Sequence, residues 1–136
     1  MKMYLSSYEL GNETKKLKKM VPANKKLGYF FIALDFTGAD QSITAERVKR
    51  SMANLNALGF DCVALDLKEY FGKPAELRAF VDTLGAVWVS GGNVFVLRQA
   101  FKLSGFDRLL LDLNQKDDFL YGGFSAGVCV LAPTLN

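Results

Sequence analysis

Short apolar runs recur along this chain, and each is followed by a polar or amphipathic stretch long enough for a helix. No other feature limits the possible folds as much. The runs are 28–35 (GYFFIALD), 61–66 (DCVALD), 86–90 (AVWVS) and 119–122 (FLYG). They are strand-length and nearly unbroken, as in strands covered on both faces of a parallel sheet. Residues 2–6 read as a further, first strand. Between the strands, 44–58 carries Val48, Met52, Leu55 and Leu58 on one helical face, and Gly59 follows as a C-terminal stop. Residues 74–84 form a helix with proline in its first turn, where the missing N–H costs nothing. Further helices are expected at 13–20, closed by Pro22, at 93–104, at 106–115 and from Ser125 onward. Repeated β–α units of this length predict an α/β fold: a three-layer, doubly wound, mostly parallel sheet in a single domain over 1–136. In such sheets ligands collect at the carboxyl ends of the strands.

Of the 136 residues, 50% are hydrophobic and 23% charged, enough apolar material for a core and too much for a disordered chain. The formal charge is +3, with much of the excess in Lys15, Lys16, Lys18, Lys19, Lys25 and Lys26. No arginine or aromatic residue is interleaved among these lysines as a base-stacking platform would require, so they read as a solvated face rather than a nucleic-acid surface. No run of apolar residues is long enough for a membrane span. The start, MKMYLSSYEL, has no apolar core of a signal peptide. A cytoplasmic protein with no nucleic-acid or membrane partner is expected. Cys62 and Cys129 stand far apart in apolar surroundings, outside any metal-binding or disulfide pattern, and read as buried free thiols. No cofactor or metal is expected, because no ligands cluster at suitable spacing.

Two glycine-rich segments follow strands. The first is Gly123-Phe124-Ser125-Ala126-Gly127, which fits G-x-S-x-G between a strand and a helix. In a nucleophile elbow the serine sits at a sharp bend, so its near neighbours must be small. Its hydroxyl then projects over the sheet edge beside the amides of the next helix. A glycine-rich turn with a serine N-cap would show the same residues. The second segment is Ser90-Gly91-Gly92-Asn93. Its glycines allow close backbone approach and a free inward amide, as in an oxyanion hole; an asparagine-capped tight turn fits equally. Of the remaining residues, Trp88, Phe30, Phe31 and Phe36 read as core or sheet packing. Asp35 and Asp66 end strands and read as helix caps or pocket-lining groups.

Taken together, SGGNVFVL followed by YGGFSAGVCVLAP resembles the peptidase E family of serine peptidases. These are aspartyl dipeptidases, with cyanophycinase as a more distant relation, and their fold is similar to that of class I glutamine amidotransferases. The resemblance covers essentially the whole chain as the N-terminal portion of a family member. It implies that Ser125 is the nucleophile and that Ala126 with Gly91 and Gly92 supplies the oxyanion-hole amides. Asn93, Gly123 and Gly127 complete the two motifs. The implied substrate is a small peptide, a dipeptide with N-terminal aspartate, cleaved through a seryl acyl-enzyme.

There is no histidine in the sequence. The family's catalytic histidine and its acidic partner are expected downstream of the elbow, and the chain extends eleven residues past Ser125. A serine without a base in hydrogen-bond reach is a poor nucleophile, so the chain as given is expected to be inactive or nearly so. Neither Asp117 and Asp118, expected at the opposite end of the last strand, nor Lys102 offers an evident substitute. Truncation relative to the family would leave Val128, Val130 and Leu131 and a sheet edge uncovered, hence an expected homo-oligomer. The alternative is a non-catalytic remnant that only binds a ligand or partner. An α/β-hydrolase esterase fits less well, lacking the initial hairpin and an HGGG loop. A nucleotide site lacks G-x-G-x-x-G and the P-loop pattern.

Overall fold

A computed structural model describes residues 2–6, 14–31, 38–89 and 94–124. The elements are β1 (Lys2–Ser6), α1 (Thr14–Lys19), β2 (Lys26–Phe31), α2 (Gly38–Ala57), β3 (Asp61–Asp66), a 3₁₀ turn (Leu67–Tyr70), α3 (Pro74–Val81), β4 (Ala86–Val89), α4 (Val94–Ser104), α5 (Phe106–Leu113) and β5 (Leu120–Phe124). The five strands form one sheet in the order β1-β5-β4-β2-β3, and every pairing is parallel.

Side-chain alternation along the strands divides the interior in two. Phe30, Val87, Val89 and Tyr121 point to one face, where they meet Leu77 and Val81 of α3, Leu97 and Phe101 of α4, and Phe106, Leu109 and Leu113 of α5. Leu27, Tyr29, Ala86, Trp88 and Leu120 point to the other, against Leu17 of α1 and Leu55 of α2, with Val48, Met52 and Leu58 packed partly buried behind them. Helices therefore cover both faces, giving the expected three-layer α/β arrangement. Phe30 and Phe31 share a strand but take opposite sides, Phe31 lying half-buried beside the second cluster.

Several boundaries differ from those the sequence suggests, each for a physical reason. β2 begins at Lys26 rather than at 28 because its ladder with β3 starts there, Lys26 opposite Asp61. Helix α2 begins at Gly38, upstream of the apolar periodicity that starts at Val48. It ends before Gly59, whose φ of 113° suits glycine alone. β5 runs to Phe124, two residues beyond the expected end at Gly122, so Gly123 too is a strand residue and not the start of a turn. Both lie in ladders, Gly122 between Tyr4 and Trp88 and Gly123 between Leu5 and Val89.

Candidate active site

The two glycine-rich segments leave adjacent strands at the same rim. β4 and β5 are parallel neighbours, with Trp88 opposite Gly122 and Val89 opposite Gly123. Neighbouring strands lie about 4.8 Å apart. The segment at 90–93 therefore departs from β4, and Ser125 from β5, at carboxyl ends one strand spacing apart. Parallel pairing decides this: an antiparallel neighbour would have put the two segments at opposite rims. Ser125, Ala126, Gly127, Gly91, Gly92 and Asn93 themselves lie outside the described residues, as do Ser90, Asp35, Phe36, Val128, Cys129, Val130 and Leu131. Of the expected site residues, Gly123 is described, and it is buried in β5.

The strand that leads to the serine is built around a close approach. Trp88 is 1% exposed, and its six-membered ring occupies the space where a Cβ on Gly122 would stand, overlapping it at Cε3 and Cζ3. Tyr4 of β1 flanks Gly122 from the other side, its ring centroid 6.1 Å from that of Trp88. The sequence marks Trp88 only as core and Gly122 only as the last residue of the strand 119–122. Counting back from the two glycine segments in parallel (Val89 with Gly123, then Trp88 with Gly122) would have found the pair.

The candidate charged residues lie away from the carboxyl end of β5. Asp66 ends β3, three strand positions from β5, or about 14 Å across the sheet. Its Oδ1 accepts from the Lys68 N–H at 3.0 Å, so it caps the 3₁₀ turn. Asp118 lies at the amino end of β5, where its Oδ2 accepts from the Ala23 N–H at 3.3 Å and its other oxygen lies 4.0 Å from the Lys2 ammonium. Lys102 is exposed near the far end of α4, eight residues and about 12 Å along the axis from the start of the helix at the rim. All three lie away from the carboxyl end of β5, which Ser125 follows in sequence. Cys62 is a half-buried free thiol, pushed up to about 12 by burial and by the Asp61 carboxylate. Among the described residues no three His, Cys, Asp or Glu side chains are grouped to hold a metal ion, and no helix is long and apolar enough to cross a membrane.

The sequence profile of peptidase family S51 matches residues 12–136. The chain belongs to peptidase family S51. Its fold is also that of a solved relative, the 1.5 Å crystal structure of a protein assigned to peptidase E from Listeria monocytogenes EGD-e. The TM-score is 0.65 at 23% identity, over 92% of this chain and 58% of that one. This S51 chain thus spans 58% of the length of that relative. No curated protein matches the sequence. S51 is the family of peptidase E, so the match agrees with the resemblance carried by the two glycine motifs.

Proposed function

We propose that these residues form the nucleophile-bearing part of a serine peptidase that hydrolyses small peptides, dipeptides with N-terminal aspartate being the expected substrate class. Ser125 attacks the scissile carbonyl. The amides of Ala126 and of the Gly91–Gly92 segment receive the developing oxyanion, and water releases the acyl group. The observation that supports this reading is the parallel β4–β5 pairing: the strands that lead into the two motifs are neighbours running the same way. The S51 match supports the same chemistry.

The base is the open half of the mechanism. The 136 residues contain no histidine; Asp66 caps the 3₁₀ turn, Asp118 lies at the amino end of β5 and Lys102 lies in the last turn of α4. On this reading a base from outside these residues completes the site. The chain alone then retains only what an oxyanion hole and binding supply, roughly 10³–10⁴-fold over water.

A fluorophosphonate probe tests both parts. Slow labelling of Ser125 is expected, abolished in Ser125→Ala and accelerated by free imidazole acting as a diffusible base. Absence of labelling at Ser125 with imidazole present overturns the nucleophile assignment. Rapid stoichiometric labelling without it overturns the claim that a base is missing.

A further inference from the structure

Gly122 and Gly123 stand side by side in the strand that delivers Ser125. Two consecutive glycines give that strand more backbone freedom than any other residues would. If Ser125 is the nucleophile, its distance from amides carried by β4 depends on how firmly this soft stretch is held. The packing around Gly122 supplies the restraint. Trp88 lies over it from β4 and Tyr4 from β1, both on the same face, with Leu120 and Ala86 in the same cluster. The indole thus spans from β4 across β5 toward β1, one ladder position inside Gly123.

The indole also carries a cost. Its Nε1–H is buried and finds no acceptor among the described residues. A buried donor without a partner destabilises the fold, and a phenylalanine would fill the same face without one. What phenylalanine lacks is the second ring, and the atoms lying on Gly122 are Cε3 and Cζ3 of that ring.

We propose that Trp88 is the positioning residue of the nucleophile turn, its second ring clamping β5 at Gly122 three residues before Ser125. This rests on the assignment of Ser125 above. Trp88 touches no reacting atom; it acts through β5.

Two variants of the full chain test the proposal, Trp88→Phe and the double variant Trp88→Phe with Gly122→Ala. The first withdraws the second ring, and the second variant refills the gap with a methyl group. Amide hydrogen exchange is followed by peptide in β5 and, as control, in β2 and β3. Exchange in β5 is expected to quicken about tenfold in Trp88→Phe, with β2 and β3 unchanged, and to recover in the double variant. Ser125 labelling is followed over hours against probe concentration, well below the unfolding temperature. The limiting rate is expected to fall about tenfold in Trp88→Phe, as small misplacements of a reacting group do. Half-saturation should stay constant, and the rate should recover in the double variant. Exchange that is unchanged, or that rises equally in all strands, overturns the proposal, as does one limiting rate for all three proteins. β5-selective exchange without labelling of even the wild type instead overturns the nucleophile assignment and leaves the Trp88 clamp on β5 standing.

Discussion

Trp88 and Gly122 are ladder partners on adjacent parallel strands, and the ring of the first fills the volume that a side chain on the second would take. Gly122 is therefore required by space, not by backbone angle; among the described residues the positive-φ glycines are Gly59, Gly72 and Gly105. Gly122→Ala should destabilise the fold by about 1–3 kcal/mol through overpacking, because the atoms it meets belong to a rigid, fully enclosed ring. Urea denaturation followed by the emission of Trp88, the sole tryptophan, measures this directly. A midpoint equal to that of wild type would show that the ring can yield.

Asp66 tests the separation between fold and chemistry at the rim. Its carboxylate caps the 3₁₀ turn through the Lys68 N–H, and β3 lies three positions from β5. Asp66→Ala should cost about 0.5–2 kcal/mol, the range for a lost cap, and leave the rate of Ser125 labelling unchanged. A large fall in labelling at unchanged stability would mean that Asp66 reaches the site.

Much of this arrangement can be read from the sequence, and the exceptions follow a pattern. Strand 61–66 has identical limits in sequence and structure, because an apolar run between Gly59 and a capping aspartate marks both of its ends. Val48, Met52 and Leu55 of α2, with Leu58 just after its end, pack in one cluster as the periodicity implies. By contrast, the pair Gly122 and Gly123 looks like the end of the strand because glycine usually breaks strands, yet β5 continues to Phe124. The fact that reverses this, an indole arriving from a neighbouring strand, is a contact between positions 34 apart that no local pattern encodes. The 3₁₀ turn at Leu67–Tyr70 was missed for a local reason: four residues are too few for periodicity, although Asp66 ahead of them is a capping signal. The motifs at 90–93 and 125–127 point to a chemistry. That the strands leading to them end at one rim depends on the parallel β4–β5 pairing, which the sequence implies only through its βα rhythm.

Cys62 gives a pH prediction with a definite sign. Burial and the neighbouring Asp61 charge raise its thiol from 9.0 to about 12 in the folded chain. The folded state thus keeps a proton that the unfolded chain releases. The contribution of this group to stability is complete below pH 9 and declines as pH rises from 9 toward 12. At pH 8 Cys62 should react slowly with a thiol reagent and much faster once urea unfolds the chain. Titration of the folded protein at the rate of a free thiol would contradict the burial. Cys62→Ser should flatten the alkaline loss of stability between pH 9 and 12.

Phe106 joins the helical layer to the sheet. Its ring meets Phe30 of β2 and Phe101 of α4, each with centroids 4.9 Å away and edge-to-face. It is fully buried at the start of α5, immediately after Gly105, whose φ of 82° turns the chain out of α4. Truncation to alanine removes contacts to a strand and a neighbouring helix at once, leaving a cavity that rigid surroundings fill poorly. Phe106→Ala should cost about 3–5 kcal/mol, whereas Phe106→Leu, which keeps most of the volume, should cost less. Arg78 and Asp112 link α3 to α5 on the exposed side of the same layer, with side chains 49% and 61% exposed. Arg78→Ala should therefore cost no more than about 1 kcal/mol, and less in high salt. Chemical denaturation of the three variants, at low and high ionic strength, checks the ranking. Were Arg78→Ala the most damaging, α3 and α5 would be held by charge rather than by the aromatic contacts beneath them.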